Sequence, residues 1–250
     1  YKIVFSNDII KKACKTYEYN FGITPYCCDI KELDYHLLPK QTDIVIGGFP
    51  CQDFSLAGKR KGLETDRGKL YLEMKKVIEH CNPLAFVAEN VDGIRKGNKG
   101  NNTSALDIII NDFRSIGYSV VYKALNAADY GVPQNRIRII IVGIRNDIHK
   151  VMKYPIAKYG ENNIYPWITA KDAIDDLWDM IDKTEIKNHT SKDYSKAKFY
   201  PGRTMQGNCQ IKADCPSITI RSEHHGNIEG HYRTNNTDNP TDVTGWRRLS

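Results

Sequence analysis

Short apolar runs alternate with amphipathic stretches through the first half of the chain, the pattern of a parallel sheet wound with helices. Tyr1–Ser6 reads as a strand, Ile9–Asn20 as a helix that stops near Gly22, and Tyr26–Asp29 as a further short strand. Thr42–Gly47 is an apolar run that predicts a buried strand, feeding the loop Gly-Gly-Phe-Pro-Cys-Gln-Asp-Phe-Ser. Leu70–Cys81 has helical spacing, with Leu70, Met74, Val77 and Ile78 on one face. Leu84–Glu89 predicts another buried strand and Ala105–Gly117 another helix. The runs Tyr118–Ala124 and Arg138–Ile144 are only about a dozen residues apart, so an antiparallel hairpin is expected rather than a helical crossover.

From about Asp147 the texture changes. Tyr154–Cys215 is polar, rich in Lys, Asn, Tyr and Asp, and interrupted by Pro155, Pro166 and Pro201. Within it Thr169–Ile181 keeps helical spacing, with Ile174, Leu177 and Trp178 on one face. The change of texture divides the chain at about residue 148, into an α/β domain, 1–148, and a smaller irregular domain, 149–250. A length of 250 residues suffices for such a pair of cores. Lys and Arg number 36 against 30 Asp and Glu, a net charge of +6 that permits a polyanionic partner without requiring one. Seven cysteines, an odd count without zinc-ribbon spacing, predict a reducing compartment with thiols mostly buried and inert.

The most informative loop is Gly47–Ser55. Reactive groups in an open α/β sheet collect beyond the carboxyl ends of the strands, which is where Cys51 falls. Taken singly, a cysteine after a strand is more often a buried structural thiol. Glu89-Asn90-Val91 closes another predicted strand, although an acid there is commonly a surface charge. Gln134-Asn135-Arg136-Ile137-Arg138 leads into a third apolar run, with Arg136 and Arg138 on one face by strand alternation. A thiol, a carboxylate and two guanidiniums at the rim of one sheet form a nucleophile, an acid and an electropositive anchor. His224, His225, His231, Glu223 and Glu229 lack the spacing of a metal site and are read as loop residues, so no metal is expected.

These stretches resemble the DNA (cytosine-5)-methyltransferases. GGFPCQDFS is similar to their Pro-Cys motif, Glu89-Asn90-Val91 to their ENV motif and QNRIR to their QxRxR motif. Asp66–Tyr71, Ala124–Gly131 and Arg247-Arg248-Leu249-Ser250 resemble further segments of the family, in the family's order. The resemblance implies a Rossmann-like S-adenosylmethionine-dependent methyltransferase sheet in residues 1–148 and a target-recognition domain in 149–250. It implies an enzyme that methylates carbon 5 of a flipped-out cytosine in a specific double-stranded DNA sequence. Cys51 would add to carbon 6, Glu89 would protonate or hydrogen-bond ring nitrogen 3, with a raised pKa, and Arg138 or Arg136 would hold the base carbonyl. The base that removes the carbon-5 hydrogen is not identified. The cofactor would be S-adenosyl-L-methionine, held by Asp8, Ile9, Asp29, Ile30, Phe49, Pro50 and Leu70; Asp8 also suits the N-cap of the helix Ile9–Asn20. Gln52, Ser55 and Arg221 would touch DNA.

The family opens on a strand and a glycine-rich FxGxG loop that this chain does not show, and it ends on a further cofactor motif. The strand would sit between Tyr1–Ser6 and Thr42–Gly47, so a fragment of a longer protein is expected, or a second polypeptide that supplies the absent motifs. The setting implied is the cytoplasm, in association with the nucleoid, of a prokaryotic or phage system of restriction and modification. Two rivals remain: a tRNA (cytosine-5)-methyltransferase of related fold, and a DNA-binding relative without catalysis.

Overall fold

The computed structural model describes residues 2–50, 70–95, 104–183, 186, 189–190, 209–220, 230–233 and 246–248. They form two compact units, residues 1–124 with 138–154, and residues 125–137 with 155–250.

The first unit is a four-stranded sheet with helices. Its elements are α1 (Lys11–Phe21), β1 (Ile44–Gly48), α2 (Tyr71–Cys81), β2 (Ala85–Val91), α3 (Ala105–Ser115), β3 (Tyr118–Asn126) and β4 (Ile137–Arg145). The strand order is β1-β2-β4-β3, with β1 parallel to β2 and β4 antiparallel to it. A parallel neighbour needs a long return path, which contains α2; Asn82 at φ 42° ends that helix and the chain turns into β2. α3 starts on a capping box between Ser104 and Asp107, which satisfies two backbone donors at the helix start. Alternate residues of the inner strands, Phe86 and Ala88 on β2 and Ile139 and Ile141 on β4, are fully buried with Ile78 of α2 and Ile109 and Phe113 of α3. Burial pushes the Tyr118 phenol, which donates to the Pro83 carbonyl at 2.8 Å, up to about 12.

One contact in this core is unusually unforgiving. Gly143 is the register partner of Phe86, and a Cβ there would fall inside the Phe86 ring. That ring cannot retreat, because Phe113 lies 4.7 Å and Tyr118 5.3 Å from it, centroid to centroid. Gly143→Ala is therefore expected to destabilise the protein by about 1–3 kcal/mol, as overpacking does. Urea denaturation of the two proteins measures this, and equal midpoints would show that the ring can move.

Several expectations need correction. Residues 2–6 form no strand; the ladder there is a single parallel bridge between Asn7 and Tyr26, which also reduces the expected strand Tyr26–Asp29 to one residue. A strand exists only where a partner takes its hydrogen bonds, and an apolar run does not reveal its partner. Thr42–Gly47 does become β1, shifted to Ile44–Gly48, but it is not buried: Ile46 is 77% exposed and Ile44 38%, since β1 pairs with β2 on one side and borders a cleft. The helix after Asp8 begins at Lys11, with Ile10 at the N-cap; Asp8 lies too early to cap it and accepts the Ile10 N–H at 2.7 Å instead. Nor are the cysteines mostly buried. Of the five whose side chains are described, Cys14 and Cys81 are buried, Cys28 is half-buried, and Cys27 and Cys215 are exposed.

In the second unit Thr169–Ile181 splits into α4 (Ala170–Ile174) and a 3-10 segment, Asp175–Met180, behind a Thr169–Asp172 capping box. A three-stranded sheet follows, β5 (Cys209–Ile211), β6 (Gly230–Arg233) and β7 (Trp246–Arg248), with β5 parallel and β7 antiparallel to β6. Ile211 packs on Ala170, and the Ala170 and Lys171 N–H groups donate to the Cys215 and Ala213 carbonyls.

Candidate active site

A cleft of about 560 Å³ opens in the first unit between β1 and the segment Val4–Ile10, within the range of small-molecule sites. Asp8, Ile9, Asp29, Ile30, Phe49, Pro50 and Leu70 all line it. The local sequence explains how the two acids come to its rim. The Asn7–Tyr26 bridge sets the two segments side by side, and the Asn7 amide donates to the Tyr26 and Cys28 carbonyls at 2.8 and 3.0 Å. Each acid then turns its chain with a carboxylate: Asp8 takes the Ile10 N–H, and Asp29 takes the Lys31 N–H at 3.0 Å. What remains of each carboxylate is available to hydroxyl or amine donors, flanked by the apolar Ile9, Ile30 and Phe49.

Beyond the cleft, the loop that carries Cys51 is gripped at its root. Phe49 is buried and its ring lies 6.2 Å from that of Tyr71. Its carbonyl accepts a hydrogen bond from the Asn90 side-chain amide at 3.3 Å, and the Asn90 Oδ1 accepts the Val91 N–H at 2.8 Å. Asn90 is only 1% exposed, so these bonds answer groups that would otherwise be buried without partners. Tyr71 in turn donates to Asp112 at 2.6 Å; burial, then that bond, raises its pKa. Close to the clamp, Gly47 admits Met74, whose sulfur would stand 3.0 Å from a Cβ at that position.

Glu89-Asn90-Val91 lies within β2 rather than after it. Strand alternation turns Asn90 into the core and Glu89 to the opposite face, where it is the register partner of Gly48 on β1 and Ile140 on β4. Arg138 faces Val91, one diagonal step from Glu89, and its Nε donates to the Glu89 carboxylate at 2.7 Å. The Glu89 side chain is 44% exposed and that of Arg138 20%, so the pair contributes no more than about 1 kcal/mol to stability; what it fixes is position. Arg136 precedes β4 and belongs to the second unit, where its N–H donates to the Asn126 side chain at 2.9 Å. The Asn126 amide also donates to the Asn135 side chain at 3.0 Å, closing the Gln134–Arg138 loop.

The structure thus gathers all seven cofactor candidates in one cleft and pairs Glu89 with Arg138. Cys51, Gln52, Ser55 and Arg221 lie outside the described residues, as do Glu223, His224, His225 and Glu229. Sequence reasoning missed the clamps made by Asn90 and Asn126. Asn90 had a readable signal, a polar residue in phase with the buried Phe86 and Ala88.

Residues 1–244 match the family of C-5 cytosine-specific DNA methylases. The chain belongs to that family. Among curated DNA methylase relatives, the Type II methyltransferase M.BsuRI of Bacillus subtilis is 43% identical over 177 residues, which is 70% of this chain and 39% of M.BsuRI. M.NgoFVII of Neisseria gonorrhoeae is 36% identical over 203 residues, 79% of this chain and 53% of the relative. The chain spans about two fifths to one half of the length of these two relatives. Among solved structures, the Schizosaccharomyces pombe Dnmt2 methyltransferase matches all of this chain and 76% of its own, with a TM-score of 0.64 at 15% identity. That likeness concerns the fold, which is the Rossmann-like fold of methyltransferases.

Proposed function

We propose that this methylase domain works in a protein that transfers a methyl group from S-adenosyl-L-methionine to carbon 5 of a cytosine flipped out of double-stranded DNA, in the cytoplasm. The observation that supports this most is the convergence of Asp8, Ile9, Asp29, Ile30 and Phe49 on one cleft whose lining includes Gly48, the register partner of Glu89. Asp8 and Asp29 would hold the cofactor's ribose hydroxyls and adenine amine, and Ile9, Ile30 and Phe49 would cover the ring. The bound cofactor supplies an electrophilic methyl on a sulfonium.

Carbon 5 of cytosine is too weak a nucleophile to take that methyl unaided. In this reading the Cys51 thiolate adds to carbon 6 and gives carbon 5 enamine character. Glu89 hydrogen-bonds or protonates nitrogen 3 as charge builds there, with Arg138 holding its carboxylate still. Arg138 or Arg136 anchors the base carbonyl. Once methylated, carbon 5 loses its hydrogen and the cysteine leaves. The target is unreachable inside a stacked duplex, so the base must leave the helix. Gln52, Ser55 and Arg221 would hold the DNA, and residues 149–250 would choose the sequence. We further propose that the edge of β1 opposite β2 accepts another strand, from the same polypeptide or a second one, which would narrow the cleft to the part around Asp8, Asp29 and Phe49 that the cofactor occupies.

The full-length gene product, given labelled cofactor, is expected to label duplex DNA at a defined sequence and to leave tRNA unlabelled. Exchange of residues 147–220 for those of a relative with another specificity is expected to change the labelled sequence. Label in tRNA alone would replace the DNA reading, and an active chimera with its old target would remove sequence choice from that segment.

A further inference from the structure

Two thiols meet behind the cleft rim, in residues that the proposed reaction does not use. Cys14 is in the first turn of α1, and Cys27 follows Tyr26 of the parallel bridge. The Cys14 thiol donates to the Asp8 carbonyl at 3.4 Å and the Cys27 thiol to the Ile9 carbonyl at 3.9 Å. Both sulfurs therefore lie against neighbouring carbonyls of one short stretch, near enough for Cys27 to help raise the Cys14 pKa. The backbone around them is tied down. The Tyr26 N–H donates to Ser6 at 2.9 Å, the Asp8 N–H to Tyr26 at 3.2 Å, and the Cys14 N–H to Ile10 at 3.0 Å. Cys14 is 6% exposed, whereas Cys27 is open to solvent.

We propose that Cys14 and Cys27 are a dithiol site for peroxide, which joins them in a reversible disulfide and thereby weakens cofactor binding at Asp8 and Ile9. The second half of this statement rests on the cofactor reading of the cleft. The chemistry balances with one peroxide. The exposed Cys27 thiolate attacks an oxygen of hydrogen peroxide; a sulfur–oxygen bond forms, the oxygen–oxygen bond breaks, and the leaving hydroxide takes a proton to become water. Cys14 then attacks the sulfenic sulfur, the sulfur–sulfur bond forms, and the hydroxyl departs as a second water. Two thiols are oxidised and one peroxide is reduced to two waters. Burial, and next the neighbouring Cys27, raise the Cys14 pKa, so this second step quickens as pH rises.

The consequence for the cleft follows from what the thiols now hold. In the disulfide neither sulfur has a proton to give, so the Asp8 and Ile9 carbonyls lose these donors. The bond also draws the start of α1 toward residue 27, across the turn in which the Asp8 carboxylate grips the Ile10 N–H at 2.7 Å. Such a bond would be transient in a reducing compartment, as suits a sensor.

The test uses the full-length gene product, reduced and then exposed to hydrogen peroxide, with free thiols blocked and the peptides mapped by mass spectrometry. Calorimetric titration of S-adenosylmethionine is run before oxidation, after it, and after dithiothreitol. Binding rather than turnover is the readout, because peroxide would also reach Cys51. A peptide joined through Cys14 and Cys27 is expected, with a loss of affinity on the order of tenfold that dithiothreitol restores. Cys27→Ser should make the titration insensitive to peroxide, and Cys28→Ser should leave the Cys14–Cys27 link in place. No link, or a link through Cys28 instead, overturns the site; a link that leaves affinity unchanged overturns its effect on the cleft. Should the reduced protein bind no cofactor, the cofactor reading fails and the effect on the cleft with it, while the joined peptide still decides the dithiol chemistry.

Discussion

Cys51→Ala in the full-length protein is expected to reduce methyl transfer by a factor on the order of 10⁴ or more, while target-DNA binding stays within a few-fold of wild type. The size follows from the chemistry. Without covalent addition at carbon 6, carbon 5 remains part of an aromatic ring, and neither Glu89 nor Arg138 can supply the missing electron density. Binding should survive, because alanine removes one sulfur and leaves the root of the loop intact: the Asn90 bond is to the carbonyl of Phe49, two residues earlier. DNA carrying 5-fluorocytosine at the target adds a second readout. Fluorine cannot leave as the hydrogen does, so the wild type should be trapped as a covalent adduct and the alanine variant should not. Methylation by Cys51→Ala near the wild-type rate would end the covalent reading.

Glu89→Gln should cost about 10²–10⁴-fold in kcat, the usual worth of a positioned acid. Glutamine keeps the shape and can still accept from the Arg138 Nε, so the fold should be unaffected; the salt bridge it replaces is half open to solvent on the Glu89 side. Glu89 does not line the cleft, so the cofactor dissociation constant should barely change. The loss should also appear as slower trapping by 5-fluorocytosine, because the acid assists the attack itself and not a later step. Unchanged kcat, or a loss confined to cofactor binding, would take Glu89 out of the chemistry.

The legible part of the fold was the part that buries its own pattern. Leu70–Cys81 and Leu84–Glu89 correspond to α2 and β2 within two residues at either end, since a helix needs only its own spacing and β2 is flanked by pairing strands on both sides. Thr42–Gly47 was legible as a strand but not as an exposed one, for apolar residues look alike whether or not something covers them. Residues 2–6 show the same blindness more sharply, because their apolar content does not make a ladder. At the site, the residue types were readable and their pairing was not. Arg138 reaches Glu89 because β4 runs antiparallel to β2 in one register, with Ile140 opposite Glu89. Spacing along the chain does not contain that register, nor does it show that Asn90 turns inward to hold Phe49.

The Gln134–Arg138 loop has one more property, which bears on how such proteins diversify. In the second unit the Asn135 N–H donates to the Ser217 carbonyl at 2.7 Å and the Ser217 N–H to the Pro133 carbonyl at 2.9 Å. Both bonds are main chain to main chain, and neither asks for a particular side chain. The hydroxyl of Thr219, which reaches the Asn135 carbonyl at 2.6 Å, adds a demand that serine could also meet. A foreign segment that crosses this point in extended form can therefore dock against the loop whatever its sequence. On the proposed reading, in which this segment chooses the target, recombination could trade it for another while the arginine loop keeps its support, so that new specificities arise by exchange rather than by slow mutual adjustment.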